Sequence, residues 1–243
     1  MYVFFDAETT GLPKNGKAPV HDLRNWPRVV QVAWARFDSK GRHVETRSFI
    51  VRPEGFCIPK DAERVHGIST ARALAEGRPL KTVLKALTEA FENAKIVVAH
   101  NLAFDENVIG AEFLRKGLDI PFLGMRKICT MKGTTDYCRL PGPYGHKWPT
   151  LAELHWVLFR EDLDECHNAE ADVTACARCF FELKRRRVLK VGSGRTNQWK
   201  TIRPFTTISF CHLRFGSLQL FDSENSLTVS LPHNFFPALP SSF

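Results

Sequence analysis

Residues 2–12 read YVFFDAETTGL. Tyr2 to Phe5 form a continuous apolar run of β-forming residues and Thr9-Thr10-Gly11 supplies a turn, so Tyr2–Asp6 is predicted as a short buried strand opening into that turn. Asp6 and Glu8 stand two residues apart. On a strand this spacing places both side chains on one face. A packed domain has little structural reason to gather carboxylates there unless divalent cations offset their charge.

Outward from this strand, Val29–Phe37 and Val44–Val51 are β-rich runs joined by Asp38-Ser39-Lys40-Gly41, the composition of a hairpin turn. The first three strands therefore form a meander. Ser69 can cap a short helix ended by Gly77, and Pro79 starts a longer one that lines up Leu80, Val83, Leu84, Leu87 and Phe91. Ile96–Ala99 reads as a buried fourth strand. A helix follows over Ala103–Lys116, with Asp105 in its first turn and Val108, Ile109 and Phe113 inward. Arg126–Thr130 supplies a fifth strand, and a Pro- and Gly-rich loop runs to Pro149. Thr150 and Glu153 then form a capping box for a short helix with Leu151, Leu154 and Leu158, and a last helix covers Ala169–Arg187. Three strands followed by helices that alternate with two more imply an α/β fold, a mixed five-stranded sheet flanked by helices.

The 243 residues, 44% of them hydrophobic, suffice for one such domain plus an appendage. Residues 1–187 form the domain. Residues 188–243 read as a linker and a C-terminal appendage rich in Ser, Thr, Phe and Pro. A net charge of +8 points to a polyanionic partner, although the same balance occurs in proteins that bind no nucleic acid. Seven cysteines without regular spacing suggest reduced thiols and a cytoplasmic protein. Cys176 and Cys179 fall on the inward stripe of the last helix, as core packers rather than a zinc pair. No run of the roughly 18 apolar residues needed for a membrane span is present, and MYVFFDAETT lacks the features of a leader.

Asp105 and Asp172 both open helices that follow or flank the sheet, so both can reach the end of the first strand beside Asp6 and Glu8. Taken singly, a strand DxE pair is ordinary surface polarity and an acid in a first helical turn complements the dipole. Jointly they make a set of hard oxygen ligands suited to two Mg²⁺ or Mn²⁺ ions, the arrangement that activates water and stabilises the leaving oxygen of a phosphodiester. His167, five residues before Asp172, can take a proton at neutral pH.

The chain resembles the DEDDh group of 3′-to-5′ exonucleases, relatives of the proofreading subunit of bacterial replicative DNA polymerase. Asp6-Ala7-Glu8-Thr9-Thr10-Gly11 matches the first motif, His100-Asn101 with Phe104-Asp105 the second, and His167 with Asp172 the third. The likeness implies an RNase H-like fold over about residues 1–187. It further implies two metals on Asp6, Glu8, Asp105 and Asp172, His167 as general base, and release of nucleoside 5′-monophosphates from a 3′ end; the expected substrate is a single-stranded end, DNA in preference to RNA.

Thr9, Thr10, Gly11 and Leu12 would line the pocket for the terminal nucleotide, His66 in His66-Gly67-Ile68 would approach the 3′ end, and Asn101 and Phe104 would support the second motif or stack on a base. The 132–148 loop interleaves Tyr137, Arg139, Tyr144, His146, Lys147 and Trp148, a mixture suited to single strands or to a plain anchored loop. Leu218-Gln219-Leu220-Phe221 resembles the end of a sliding-clamp docking peptide, with Ser217 where glutamine belongs. A polymerase or a clamp is thus an expected partner. Two rival readings remain at this stage: an RNA 3′-end exonuclease, and a non-catalytic nucleic-acid-binding or replisome-adaptor module.

Overall fold

The computed structural model describes residues 1–163 and 168–189 and, by backbone, two short strands near the C-terminus. The chain divides into two compact units, Met1–Thr196 and Asn197–Phe243. In chain order the first contains β1 (Tyr2–Thr9), β2 (Val29–Phe37), β3 (His43–Ile50), α1 (Lys60–His66), α2 (Thr70–Glu76), α3 (Leu80–Phe91), β4 (Ile96–Ala99), α4 (Leu102–Arg115), β5 (Arg126–Cys129), α5 (Thr130–Gly133), α6 (Thr135–Cys138), β6 (Pro141–Gly142), β7 (Gly145–His146), α7 (Leu151–Phe159) and α8 (Ala169–Arg185). The second contains the hairpin of β8 (Leu220–Asp222) and β9 (Asn225–Leu227). Within the clamp-like segment, Leu220 and Phe221 fall in β8, while Leu218 and Gln219 lie outside the described residues. No helix among the described residues is long and apolar enough to cross a membrane.

The five main strands form one mixed sheet in the order β3-β2-β1-β4-β5, with β1 antiparallel to β2 and parallel to β4. Alternation along β1 builds two cores. Val3, Phe5 and Ala7 pack with α3 and α4, whereas Tyr2 and Phe4 meet Val173, Cys176, Ala177 and Phe180 of α8. The α8 residues recur at the i, i+3, i+4, i+7 spacing of a single helical face. Asp6 and Glu8 continue the even-numbered row, on the α8 side of the sheet, where the apolar row stops.

Sequence periodicity places the strands and long helices within a few residues. β1 runs on to Thr9 and has a bulge at Glu8/Thr9, so the turn starts at Thr10 and both acids lie inside the strand. α1 goes unpredicted because Pro59 stands at its start without a side-chain cap. α5, α6 and the β6–β7 hairpin replace the expected plain loop; elements of two to four residues carry no periodic signal. Cys176 and Cys179 are buried thiols, Cys176 within 3.7 Å of the Thr130 hydroxyl, and burial pushes the Cys179 pKa up to about 12. Both stay protonated and serve packing.

Candidate active site

β1 pairs with β4 only from Tyr2 to Phe4, opposite Ile96 to Val98. Beyond Phe4 it has no strand on that side, and α4 takes the position instead. The Asp105 Oδ1 accepts a hydrogen bond from the Ala7 backbone N–H at 3.2 Å, satisfying a sheet edge that would otherwise be buried unpaired. From the opposite layer, Asn168 caps α8 through Glu170 N–H, and the Ala169 N–H reaches the Gln31 side-chain oxygen at 3.4 Å. Gln31 lies across from Glu8 in the β1–β2 register. The start of α8, and with it Asp172, is thereby tied to the strand beside Glu8.

Asp6, Glu8 and Asp172 each bring a carboxylate oxygen within 4.8 Å of the others. Together with Asp105 they line a cavity of about 490 Å³ whose walls also include Leu12, His100, Asn101, Phe104, Thr150 and Leu151. Burial, followed by Asp105, Asp172 and Glu8, holds the Asp6 pKa well above the usual carboxylate range. Burial and the Asp172 charge raise Glu8 to about 7. Asp105 is only 2% exposed; its burial raises it too, against the stabilising Ala7 hydrogen bond. Asp6, Glu8 and Asp105 thus resist ionising beside one another and beside Asp172, as carboxyl groups gathered to hold a cation do. The donors are all hard carboxylate oxygens, which fit Mg²⁺ or Mn²⁺ better than a soft-ligand metal.

The remaining predicted positions divide. Leu12, 85% exposed, stands on the cavity wall, as do Asn101, in a left-handed conformation (φ 65°), and Phe104. Thr9 and Gly11 form the turn behind Leu12, the Thr9 hydroxyl donating to the Gly11 carbonyl at 2.7 Å. Thr10 is bound on both sides to Arg28: its N–H donates to the Arg28 carbonyl at 2.9 Å and its hydroxyl oxygen accepts from the Arg28 N–H at 3.0 Å. His66 ends α1, with its Nδ1 accepting from Ile68 N–H, and is not among the residues lining this cavity. His167 lies outside the described residues.

Sequence reasoning assigned no role to two side chains that hold this site, although it placed the first of them in the second motif. His100 is neutral at physiological pH because burial lowers its pKa to about 4, against a raising contribution from the Pro149 carbonyl. Its ring bridges the Thr130 hydroxyl at 2.9 Å and the Pro149 carbonyl at 3.0 Å, fastening the end of β4 to the wall that begins at Thr150. Glu112 is the second. It is 1% exposed and lies seven residues after Asp105, on the same buried stripe of α4. One of its oxygens accepts from Arg28 Nε at 2.8 Å and Val29 N–H at 3.1 Å, and pairs with Arg115 at 3.0 Å. Arg115 also donates to the Leu23 and Trp26 carbonyls at 2.6 Å. α4 thus presents two acids to the β1–β2 edge, one facing the cavity and one anchoring the base of the 10–28 loop that carries Leu12. An acid recurring at i+7 within an otherwise apolar stripe was the available signal.

Glu112→Gln keeps the volume and one acceptor but removes the charge shared by two guanidinium groups. It should cost about 1–3 kcal/mol of stability, measurable as a lowered denaturation midpoint. A midpoint unchanged from the parent would show that the network contributes nothing.

The exonuclease family (RNase_T) matches residues 3–180. A DNA polymerase III PolC-type chain from Streptococcus pyogenes serotype M2 (strain MGAS10270) is 32% identical over 180 residues, 74% of this chain; the match spans 11% of that relative's length. Among solved structures, E. coli Exonuclease I in complex with a dT13 oligonucleotide superposes with a TM-score of 0.62 at 22% identity, covering 76% of this chain and 41% of that one. The zinc-bound E. coli ExoI–ssDNA complex gives 0.60 at 23% identity, covering 76% and 40%. The mixed sheet with its flanking helices is the RNase H-like exonuclease fold.

Proposed function

The chain belongs to the exonuclease family, and on that footing we propose that it is a metal-dependent 3′-to-5′ exonuclease that removes nucleoside 5′-monophosphates from single-stranded ends, DNA in preference to RNA. One observation carries the reading: four carboxylates, separated by up to 166 positions in sequence, converge on a single cavity from β1, α4 and α8. A binder of nucleic acid gains nothing from facing phosphate with four acids, so the non-catalytic alternative is disfavoured. The likeness to a DNA polymerase III PolC-type chain supports DNA as the polymer, a proofreading or repair role and a polymerase as partner.

In this reading Asp6, Glu8, Asp105 and Asp172 hold the divalent ions, two of them as the donor number suggests. Bound there, the ions supply Lewis-acid activation of a water and charge stabilisation at the departing 3′ oxygen. The protein's own side chains do the rest. Leu12 packs against the last base from one wall, and Asn101 and Phe104 bound the sugar and base from another. His167 accepts the proton of the attacking water at an imidazole nitrogen. The new P–O bond forms to that water oxygen, the bond from phosphorus to the 3′ oxygen breaks, and that oxygen takes a proton from solvent, so the shortened strand leaves with a 3′ hydroxyl. The chemistry is assigned to residues 1–187, and residues 188–243 are an appendage outside it.

His167→Ala should lower turnover about 10²-fold or more, the usual contribution of a positioned general base. A loss smaller than twofold would remove the residue from that role. The function itself is tested by digesting matched 5′-labelled DNA and RNA oligonucleotides with and without Mg²⁺. Stepwise shortening from the 3′ end, Mg²⁺-dependent and faster on DNA, is the expected result. Cleavage that ignores Mg²⁺, or shortening from the 5′ end, contradicts the proposal, and faster loss of RNA would reassign the substrate.

A further inference from the structure

Between α6 and α7 the chain forms a small hairpin, with β6 and β7 paired at Pro141–His146 and Gly142–Gly145 and its base closed by Lys147 N–H to the Leu140 carbonyl at 2.9 Å. Tyr144 at its tip is 101% exposed, and Trp148 just after it is 59% exposed. Lys132 holds its ammonium 5.6 Å above the Trp148 ring. Among the described residues neither ring packs on another aromatic ring. Tyr137, grouped with them in the sequence, behaves differently: its hydroxyl accepts from Arg186 at 2.9 Å and it packs against the core cluster of Leu154, Leu158, Cys179 and Leu183.

The hairpin's place relative to the cavity is fixed. Pro149 is bound through its carbonyl to His100, and Thr150 and Leu151 are cavity wall. Trp148 therefore lies two residues from that wall, a backbone reach of at most about 7 Å. A lone exposed Trp or Tyr is ordinary. Two flat rings within five residues, one of them beneath a cation and two residues along the chain from the wall of a cavity able to bind a strand end, have a more specific fit. Aromatic faces stack on any base, and Lys132 supplies charge of the sign that phosphate requires.

We propose that Trp148 and Tyr144, with Lys132, form a stacking platform for the unpaired nucleotides immediately 5′ of the one being removed. The occupant is a single strand, because the faces of paired bases are covered by their neighbours in the stack. The proposal rests on the reading of the cavity as a 3′-end site, and it explains how a strand is kept while its end is shortened.

Binding and hydrolysis test it separately. With the full chain in EDTA, fluorescence anisotropy of labelled dT12 should show affinity falling about tenfold in Trp148→Ala and in Tyr144→Ala, within the usual range for the loss of one stacked base. Trp148→Phe should restore most of it. With Mg²⁺, the KM for dT12 should rise by a similar factor in the alanine variants. Turnover of the 4-nitrophenyl ester of thymidine 5′-monophosphate, which reaches only the cavity, should stay within about twofold.

Affinity for dT12 unchanged in both alanine variants, or no dT12 binding by the parent chain, overturns the platform. Ester turnover that falls in step with dT12 turnover overturns it as well, since the residues would then act through the cavity or the fold. Absence of all hydrolysis by the parent would instead sink the exonuclease reading, and the anisotropy series would still decide whether the platform exists.

Discussion

Replacing Asp6 by Asn is expected to lower mononucleotide release by three orders of magnitude or more while raising the melting temperature of the metal-free protein. The first effect follows from position. Asp6 shares its oxygen cluster with Glu8 and Asp172 and is also repelled by Asp105, so it is central to any ion held there. Losing a ligand that stabilises developing charge removes roughly 4 kcal/mol or more from the barrier reduction. The second effect follows from the same repulsion. Without cations, a half-buried carboxylate among three others is destabilising, and an amide of nearly the same shape removes that cost. A variant that is inactive because it is misfolded would melt lower, so the opposite signs identify a ligand. Turnover within tenfold of the parent, or a lowered melting temperature in EDTA, would refute the assignment.

How much of this was legible beforehand depends on the kind of signal. β1 was legible because a buried strand interrupted by two same-face acids is unusual enough to be read from ten residues. α7 was legible through a capping box that the structure contains, the Thr150 hydroxyl accepting from Glu153 N–H and the Glu153 carboxylate from Thr150 N–H. The sheet order was not contained in either. It arises from the β1–β4 pairing across the α3 connection, a long-range contact that local pattern cannot specify. The early end of that pairing at Phe4 creates the gap that Asp105 fills, and no periodicity announces where one strand outruns its neighbour.

The supporting residues were hidden for a different reason. His100 belongs to the second motif but its bonds run to Thr130 and Pro149, 30 and 49 positions away. Glu112 is an acid on an inward stripe, which a hydropathy reading counts as a defect until its partners Arg28, Val29 and Arg115 are seen. The rule that buried charge requires a partner predicts that such partners exist but not which residues they are. The 132–148 loop shows the converse: its composition suited either single strands or a plain anchored loop, and the structure divides it, with Tyr137 committed to Arg186 and the core and Tyr144 and Trp148 left outward.

Removing the divalent ion should abolish turnover and reverse the way stability depends on pH. The sign follows from the carboxylates. Glu8 is raised from 4.5 to about 7 and Asp6 and Asp105 are raised as well, so the folded, metal-free protein binds more protons than the unfolded chain, and stability is lost as pH rises through these folded values. For Glu8 alone the loss is about 3 kcal/mol at roughly 1.4 kcal/mol per pH unit. His100 acts oppositely. Its folded pKa of about 4 lies below the ordinary 6.5, so its contribution is complete above about pH 6.5 and is lost as pH falls toward 4. The two effects offset each other in mildly acidic solution, and only the carboxylate effect continues above pH 6.5. A cation binds the ionised acids, so stabilisation by Mg²⁺ must grow with pH, while His100 contributes equally with and without it. The increase in melting temperature on adding Mg²⁺ should therefore be several degrees larger at pH 8 than at pH 5.5, and Asp6→Asn should shrink that difference. An Mg²⁺ effect equal at both pH values would mean that the four carboxylates are not where the ion binds.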